Sequence, residues 1–235
     1  MNILVTGASR GIGLAIAQEL SEIGDVYGVS RNDEDLKKLA IKGYYACDLA
    51  DKSSLEGLGQ FIEENKFEIV INNAGYYSYS QTENLAISDL EKTIDINLKA
   101  PIFLIKKAIP YMKTVNFGRI VNIGSISGVM GECGACVYSA TKAGLIGLSK
   151  AVGLELAQFG ITVNTINPGW VDTDLGNASI EDGEFTKDEI LECIPQRRFV
   201  TPQEIAKLVR YLVSPDAKGV TGQSINLCAG LSVGI

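Results

Sequence analysis

Tyr138 and Lys142 stand four residues apart in Tyr138-Ser139-Ala140-Thr141-Lys142, at the start of a helical pattern that runs to about Gln158. Residues four apart share one face of a helix, so a phenol and an ammonium at this spacing can converge on one reagent. A free tyrosine loses its proton at about pH 10. A cation a few ångströms away favours the phenolate and lowers that value. Unit charges ~4 Å apart attract by roughly 4 kcal/mol at an effective dielectric of about 20. At roughly 1.4 kcal/mol per pKa unit, that moves the phenol by a few units. The pair therefore has the makings of a general acid or base. The same spacing also describes an ordinary surface pair, so the weight falls on the elements that hold it.

The first of these opens the chain. Asn2-Ile3-Leu4-Val5-Thr6 is a short apolar run, followed directly by Gly7-Ala8-Ser9-Arg10-Gly11-Ile12-Gly13. An amphipathic helix then runs through Leu14, Ile16, Ala17 and Leu20 to Ile23, stopped by Gly24. A strand, a glycine-rich turn and a helix make a dinucleotide site. The glycines let the backbone approach a pyrophosphate, and the helix start offers it free N–H groups. The plainer reading of the same stretch is a tight strand-to-helix turn.

The second strand, Asp25 to Ser30, ends at Arg31, where the fold faces the adenine ribose. An acid there binds a free 2′-hydroxyl, and a cation accommodates a 2′-phosphate. Arg31, with Arg10 as a second cation, predicts NADP(H), with NAD(H) as the alternative. Asp33 reads as the N-cap of a helix through Leu36 and Leu39.

Tyr44 to Cys47 reads as a third strand closed by Asp48-Leu49, with a helix starting at Asp51 or Ser53. Glu68 to Ile71 is a fourth, running into Asn72-Asn73-Ala74-Gly75. Gly118 to Ser125, Ile161 to Asn167 and Gly222 to Leu227 supply three more. The expected fold is α/β: a single-domain, Rossmann-like, doubly wound parallel sheet of about seven strands with helices on both faces. It spans residues 1–235, and a stretch at about 174–200 without a firm strand is expected to form a substrate lid.

Composition narrows the function. A net charge of −7 argues against nucleic-acid or anionic-membrane partners, and no apolar run approaches a membrane span. Met1 is followed at once by a strand, without the features of a signal peptide, so the expected location is cytoplasmic. Histidine is absent, which removes Ser-His-Asp and Cys-His nucleophiles and most catalytic zinc sites; no metal is expected. Five scattered cysteines are expected to be reduced thiols. The pair in Cys133-Gly134-Ala135-Cys136 admits a redox role, but two loop thiols fit better. Tyr76, Tyr77 and Tyr79 follow the fourth strand, where they either line a substrate cleft or pack within a loop. Asn97 falls inside a helix, where asparagine usually bonds to backbone.

The chain resembles the short-chain dehydrogenase/reductase family along essentially its whole length. Thr6–Gly13, Asn72–Gly75, Asn97, Ser125, Tyr138 with Lys142, and Pro168-Gly169 occur in the family's order and spacing. The resemblance implies hydride transfer between a nicotinamide and a carbonyl carbon. Ser125 orients the carbonyl, Tyr138 protonates it, Lys142 lowers the tyrosine pKa and binds the nicotinamide ribose, and Asn97 completes a proton relay through water. It further implies that Gly7, Ser9, Arg10, Gly11, Ile12 and Gly13 hold the pyrophosphate end. Asp48 and Leu49 take the adenine, Asn73, Ala74 and Gly75 the adenosine ribose, and Pro168, Gly169, Val171 and Thr173 the nicotinamide end.

Within the family the chain is most similar to 3-oxoacyl-(acyl-carrier-protein) reductases, through Tyr-Ser-Ala-Thr-Lys-Ala-Gly and Thr221-Gly222-Gln223. It departs from them at Asn116 and Phe159, where those enzymes commonly carry basic residues that dock the acidic carrier. The expected substrate is thus a small-molecule carbonyl or alcohol: a thioester-linked 3-oxoacyl group or a small or cyclic ketone. An NAD(H)-dependent dehydrogenase of a sugar, polyol or secondary alcohol is the alternative. A non-catalytic dinucleotide-binding protein fits less well, because all four active-site residues are present. In the family the helix beginning near Tyr138 and the one near 101–112 form subunit interfaces, so the resemblance implies a homotetramer or dimer.

Overall fold

A computed structural model of the chain describes residues 1–173, 176, 180 and 186–233. Seven parallel strands form one sheet in the order β3-β2-β1-β4-β5-β6-β7. They are β1 (Asn2–Thr6), β2 (Asp25–Ser30), β3 (Gly43–Ala46), β4 (Ile69–Asn72), β5 (Gly118–Ile123), β6 (Ile161–Pro168) and β7 (Ser224–Leu227). The central strands β4, β5 and β6 are buried at every position, as expected where helices cover both faces. The edge strands β3 and β7 alternate between more and less covered residues.

Side chains leave a strand on alternate faces, and two cores result. Ile3, Val5, Ile69 and Ile71 point to one side, where they meet Ile16 and Leu20 of α1 (Gly11–Leu20) and Ile205 and Leu212 of α8 (Pro202–Val213). Leu4 and Val70 point to the other, against Leu58 and Ile62 of α2 (Lys52–Asn65), Leu104 and Met112 of α4 (Ala100–Val115), and Leu156 of α6 (Cys136–Leu156). The chain reverses its direction of travel across the sheet between β1 and β4. That switch point opens a crevice at the strands' carboxyl ends.

Three features differ from the sequence reading. The segment after β2 holds only a 3-10 turn, Leu36–Lys38, and Asp33 does not cap it; the Asp33 carboxylate instead pairs with Lys37 at 3.0 Å. The helices on either side of Asn97 form one rod: α3 (Ile87–Ile94) passes through a π turn, Asp95–Lys99, straight into α4. Pro101 has no N–H, so the carbonyl four residues earlier, that of Asn97, lacks its α-helical partner. Finally, the expected lid contains a helix, α7 (Lys187–Cys193), started by a Thr186–Glu189 capping box. Residues 174, 175, 177–179 and 181–185 of that expected lid lie outside the described residues. Among the described residues, no helix is long and apolar enough to cross a membrane.

Candidate active site

A cleft of about 1120 Å³ runs along the carboxyl ends of the strands. Gly7, Ser9, Arg10, Gly11, Ile12 and Gly13 line one end, with Arg31, Asp48 and Leu49 beyond them. Asn73, Ala74 and Gly75 line it further along, then Ser125, Tyr138, Lys142, Pro168, Gly169 and Val171, while Thr173 stands beside Gly11. Asn97 alone among the expected residues stands behind the wall.

The glycine turn is held by β4. Thr6 Oγ1 accepts the N–H groups of Asn73 and Ala74, both at 3.0 Å, and Asn73 Nδ2 donates to the Thr6 carbonyl at 2.8 Å. Gly7 has φ +67° and Gly11 φ +54°, a backbone shape that favours glycine. At Gly13 the constraint is space: a Cβ would stand 2.1 Å from the Gly7 carbonyl oxygen and 2.4 Å from Asn73 Nδ2. Helix α1 starts without a side-chain cap and without an acid in its first turn. Its first N–H groups thus remain available to an anion in the cleft. Gly13→Ala is expected to destabilise the fold by about 1–3 kcal/mol and to abolish dinucleotide binding. A thermal melt and a cofactor titration check this, and retention of both properties would show that the turn can shift.

At the adenine end, Arg31 is exposed and makes no ion pair among the described residues. Asp33, taken up by Lys37, is not on the cleft surface. Arg31 lines the cleft there beside Asp48 and Asp35, the latter paired with Lys38 at 2.9 Å.

Chemistry concentrates at the other end. Lys142 is 3% exposed, and its Nζ donates to the Ile123 carbonyl at 2.8 Å. It lies 5.4 Å from the centre of the Tyr138 ring. A Cβ on Gly75 would sit 3.7 Å from both Lys142 Nζ and Asn97 Oδ1, so these two polar atoms converge on one point. Asn97 is fixed by a two-way bond to Tyr76: Oδ1 accepts its N–H and Nδ2 donates to its carbonyl, each at 2.8 Å.

The electrostatics differ from the sequence expectation. Burial pushes the Tyr138 phenol up to about 12; the Ser125 hydroxyl pulls it back, and the Glu132 carboxylate adds to the rise. Burial also lowers Lys142 to about 8. Burial is the largest cause of both shifts, with the ammonium bonded to the Ile123 carbonyl and 5.4 Å from the ring centre, within cation–π range. The phenol is thus held as a proton donor.

Tyr77 packs edge-on against Tyr138, with ring centres 5.1 Å apart. Ser127 and Glu132 join Ser125 on the same wall. Glu189 and Glu192 of α7 face the cleft with Trp170, whose ring stacks on Phe199 at 6.2 Å. Sequence reading missed Ser127, Glu132 and Trp170 as cleft residues. Only their nearness in the chain to Ser125, Tyr138 and Gly169 marked them. Cys133 and Cys136 are both free and exposed thiols.

A nucleotide-binding turn and a tyrosine–lysine helix on either side of a sheet's switch point define an oxidoreductase of the short-chain type, and the chain belongs to the short-chain dehydrogenase/reductase family. The profile of the family described as enoyl-(acyl carrier protein) reductase matches residues 7–232. Among relatives, the 3-oxoacyl-(acyl-carrier-protein) reductase FabG of Rickettsia conorii is 38% identical over 97% of this chain and 95% of its own. The protein of the same name from Staphylococcus epidermidis is 37% identical over 97% of both chains. Two solved structures superpose with a TM-score of 0.92. One is a variant of the actinorhodin polyketide ketoreductase with NADPH, 36% identical, covering 99% of this chain and 97% of its own. The other is YwfH, an NADPH-dependent reductase involved in bacilysin biosynthesis, 30% identical, covering 100% and 99%.

Proposed function

We propose that this protein reduces a ketone to a secondary alcohol with NADPH. The carrying observation is that Ser125, Tyr138 and Lys142 line the same cleft as the glycine turn. The cofactor fits the residues present: uncapped N–H groups for a pyrophosphate, a glycine turn whose Gly7 and Gly11 take positive φ and bring backbone to the cleft surface, and Arg31 for a 2′-phosphate. When bound, the nicotinamide supplies the hydride. Ser125 positions the carbonyl oxygen, and Tyr138 gives it a proton. Lys142 holds the nicotinamide ribose and a positive charge behind the phenol, and Asn97, through its freed carbonyl, passes protons inward by way of water.

NADPH use by the two superposed reductases supports the cofactor assignment. Arg31→Ala is expected to raise the Kd for NADPH by roughly tenfold while leaving NADH nearly unchanged, as for loss of one charge-assisted contact. An unaltered preference between the two would place the phosphate elsewhere.

The substrate end carries Glu132, Glu189 and Glu192, a rim that repels anions and favours an uncharged ketone. A 3-oxoacyl thioester is the second reading, favoured by the FabG relatives. At the corner where 3-oxoacyl reductases commonly carry carrier-binding bases, Asn116 caps α4 and Phe159 ends a 3-10 turn, but Lys113 stands 4.6 Å over the Phe159 ring and supplies a cation. NADPH and NADH oxidation with a panel of cyclic ketones, sugar ketones and acetoacetyl thioesters tests the assignment. No oxidation with any of them would remove it. One domain with a lid, a cytoplasmic location and a homotetramer or dimer complete the reading. Exposed Ala140, Ala143 and Gly147 on α6, with Leu154 83% exposed, support self-association.

A further inference from the structure

Tyr79 lies on the loop after β4, and Gly134 in the turn between α5 (Ser127–Met130) and α6. Their contact is close. A Cβ at Gly134 would stand 2.3 Å from Tyr79 Cε2 and 2.6 Å from its Cζ, so the ring occupies the space that any side chain at 134 would need. Gly134 also has φ +74°, in a turn closed by the Ala135 N–H on the Glu132 carbonyl at 3.2 Å, a shape that favours glycine. Two further bonds fasten the same loops. The Ser80 N–H donates to the Gly134 carbonyl at 2.7 Å, and the Tyr77 hydroxyl to the Glu132 carboxylate at 2.8 Å. The Tyr79 ring thus sits between fastened neighbours and is backed by main chain, not by a side chain that could swing aside.

Tyr77, Tyr79, Glu132 and Cys133 line the cleft that holds Ser125 and Tyr138, whereas Gly134 does not reach its surface. Tyr77 meets the Tyr138 ring edge-on at 5.1 Å, which puts this wall beside the acid. A tyrosine ring turns about only two side-chain bonds, and this one has backbone behind it. A ketone too bulky for the remaining space must overlap the ring or displace the fastened loops. We infer that Tyr79 is a specificity-determining residue whose ring, seated on Gly134, limits the size of ketone that reaches Tyr138. Gly134 is the positioning residue behind it. This rests on the reading of Tyr138 as the acid that meets the carbonyl.

The test compares cyclohexanone with a decalone, the same ring with a second one fused to it, as substrates of the full chain with NADPH. The readout is the ratio of their kcat/KM values, decalone over cyclohexanone. Tyr79→Ala is expected to raise that ratio by roughly tenfold or more, the scale on which a pocket discriminates by size. Tyr79→Phe keeps the ring and its seat, and should keep the parent's ratio. Gly134→Ala drives the ring from its seat and should change the ratio. Added to Tyr79→Ala it should change nothing further, because without the ring it has nothing to push. A ring that merely packs the loop would lower the melting temperature and leave the ratio in place. An unmoved ratio in Tyr79→Ala, an equal shift in Tyr79→Phe, or a further shift in the double variant would each overturn the inference. A parent that reduces ketones with such variants leaves the oxidoreductase reading standing. If the parent reduces no ketone, that reading fails, and the ratio of the two ketones' affinities for the NADP⁺ complex, measured by calorimetry across the same variants, decides the role of Tyr79 by the same outcomes.

Discussion

Tyr138→Phe is expected to cut turnover by about 10²–10⁴-fold, the span general acid catalysis commonly supplies, while the Kd for NADPH stays within about twofold of the parent. The phenylalanine ring keeps the edge-on contact with Tyr77 and loses only the proton donor. Burial pushes the parent phenol up to about 12, so it stays protonated across the neutral range. Reduction, which needs the acid form, should accordingly be level with pH there and fall only at the alkaline end. Oxidation of the alcohol needs the phenolate and should rise with pH over the same alkaline interval. Steady-state rates in both directions, paired with a cofactor titration, check the prediction. A variant with near-parent turnover would remove Tyr138 as the acid. One with lost NADPH affinity would instead make the phenol part of the binding surface.

The features legible in the sequence were those whose cause is local. Gly7, Gly11 and Gly13 read as a nucleotide turn through their spacing after a strand, and the short apolar run Asn2–Thr6 read as that strand, whose Ile3 and Val5 enter one core and Leu4 the other. Asp51 read as a helix start because a short acid can take the Ser54 N–H, as it does at 2.7 Å. What escaped was set by residues distant in the chain. The π turn around Asn97 is tied to Tyr76, 21 residues earlier. Tyr77 and Glu132 are 55 residues apart, on loops whose meeting has no local signature. Asp33 looked like a cap because its helix was expected to be longer. Spacing puts Lys142 near Tyr138, but the depth of burial that raises one pKa and lowers the other depends on everything packed over α6.

Lys142→Met should separate what the lysine does for turnover from what it does to the fold. The ammonium is 3% exposed, bonded to the Ile123 carbonyl, and pairs with no carboxylate among the described residues. Burial lowers its pKa from 10.5 to about 8. An unfolded lysine keeps its proton up to about 10.5, so between about 8 and 10.5 the unfolded chain binds more protons than the folded one. Stability from this group therefore rises with pH across that window, and its cost is full below it. Tyr138, raised from 10 to about 12, works the other way, and its contribution is lost only as pH climbs through that higher range. Methionine removes the buried charge and leaves the Ile123 carbonyl short of one donor, a loss of about 1–3 kcal/mol. The cofactor-free variant is expected to melt no lower than the parent at neutral pH and to lack the parent's rise in stability between about 8 and 10.5. Its turnover should fall by about 10²-fold, the size of losing one preorganised charge at a reacting centre, with NADPH bound more weakly. Melts over a pH series and a cofactor titration measure both halves. A variant that melts well below the parent and keeps the same pH slope would make Lys142 a strut of the fold, and the stored charge would have to sit elsewhere.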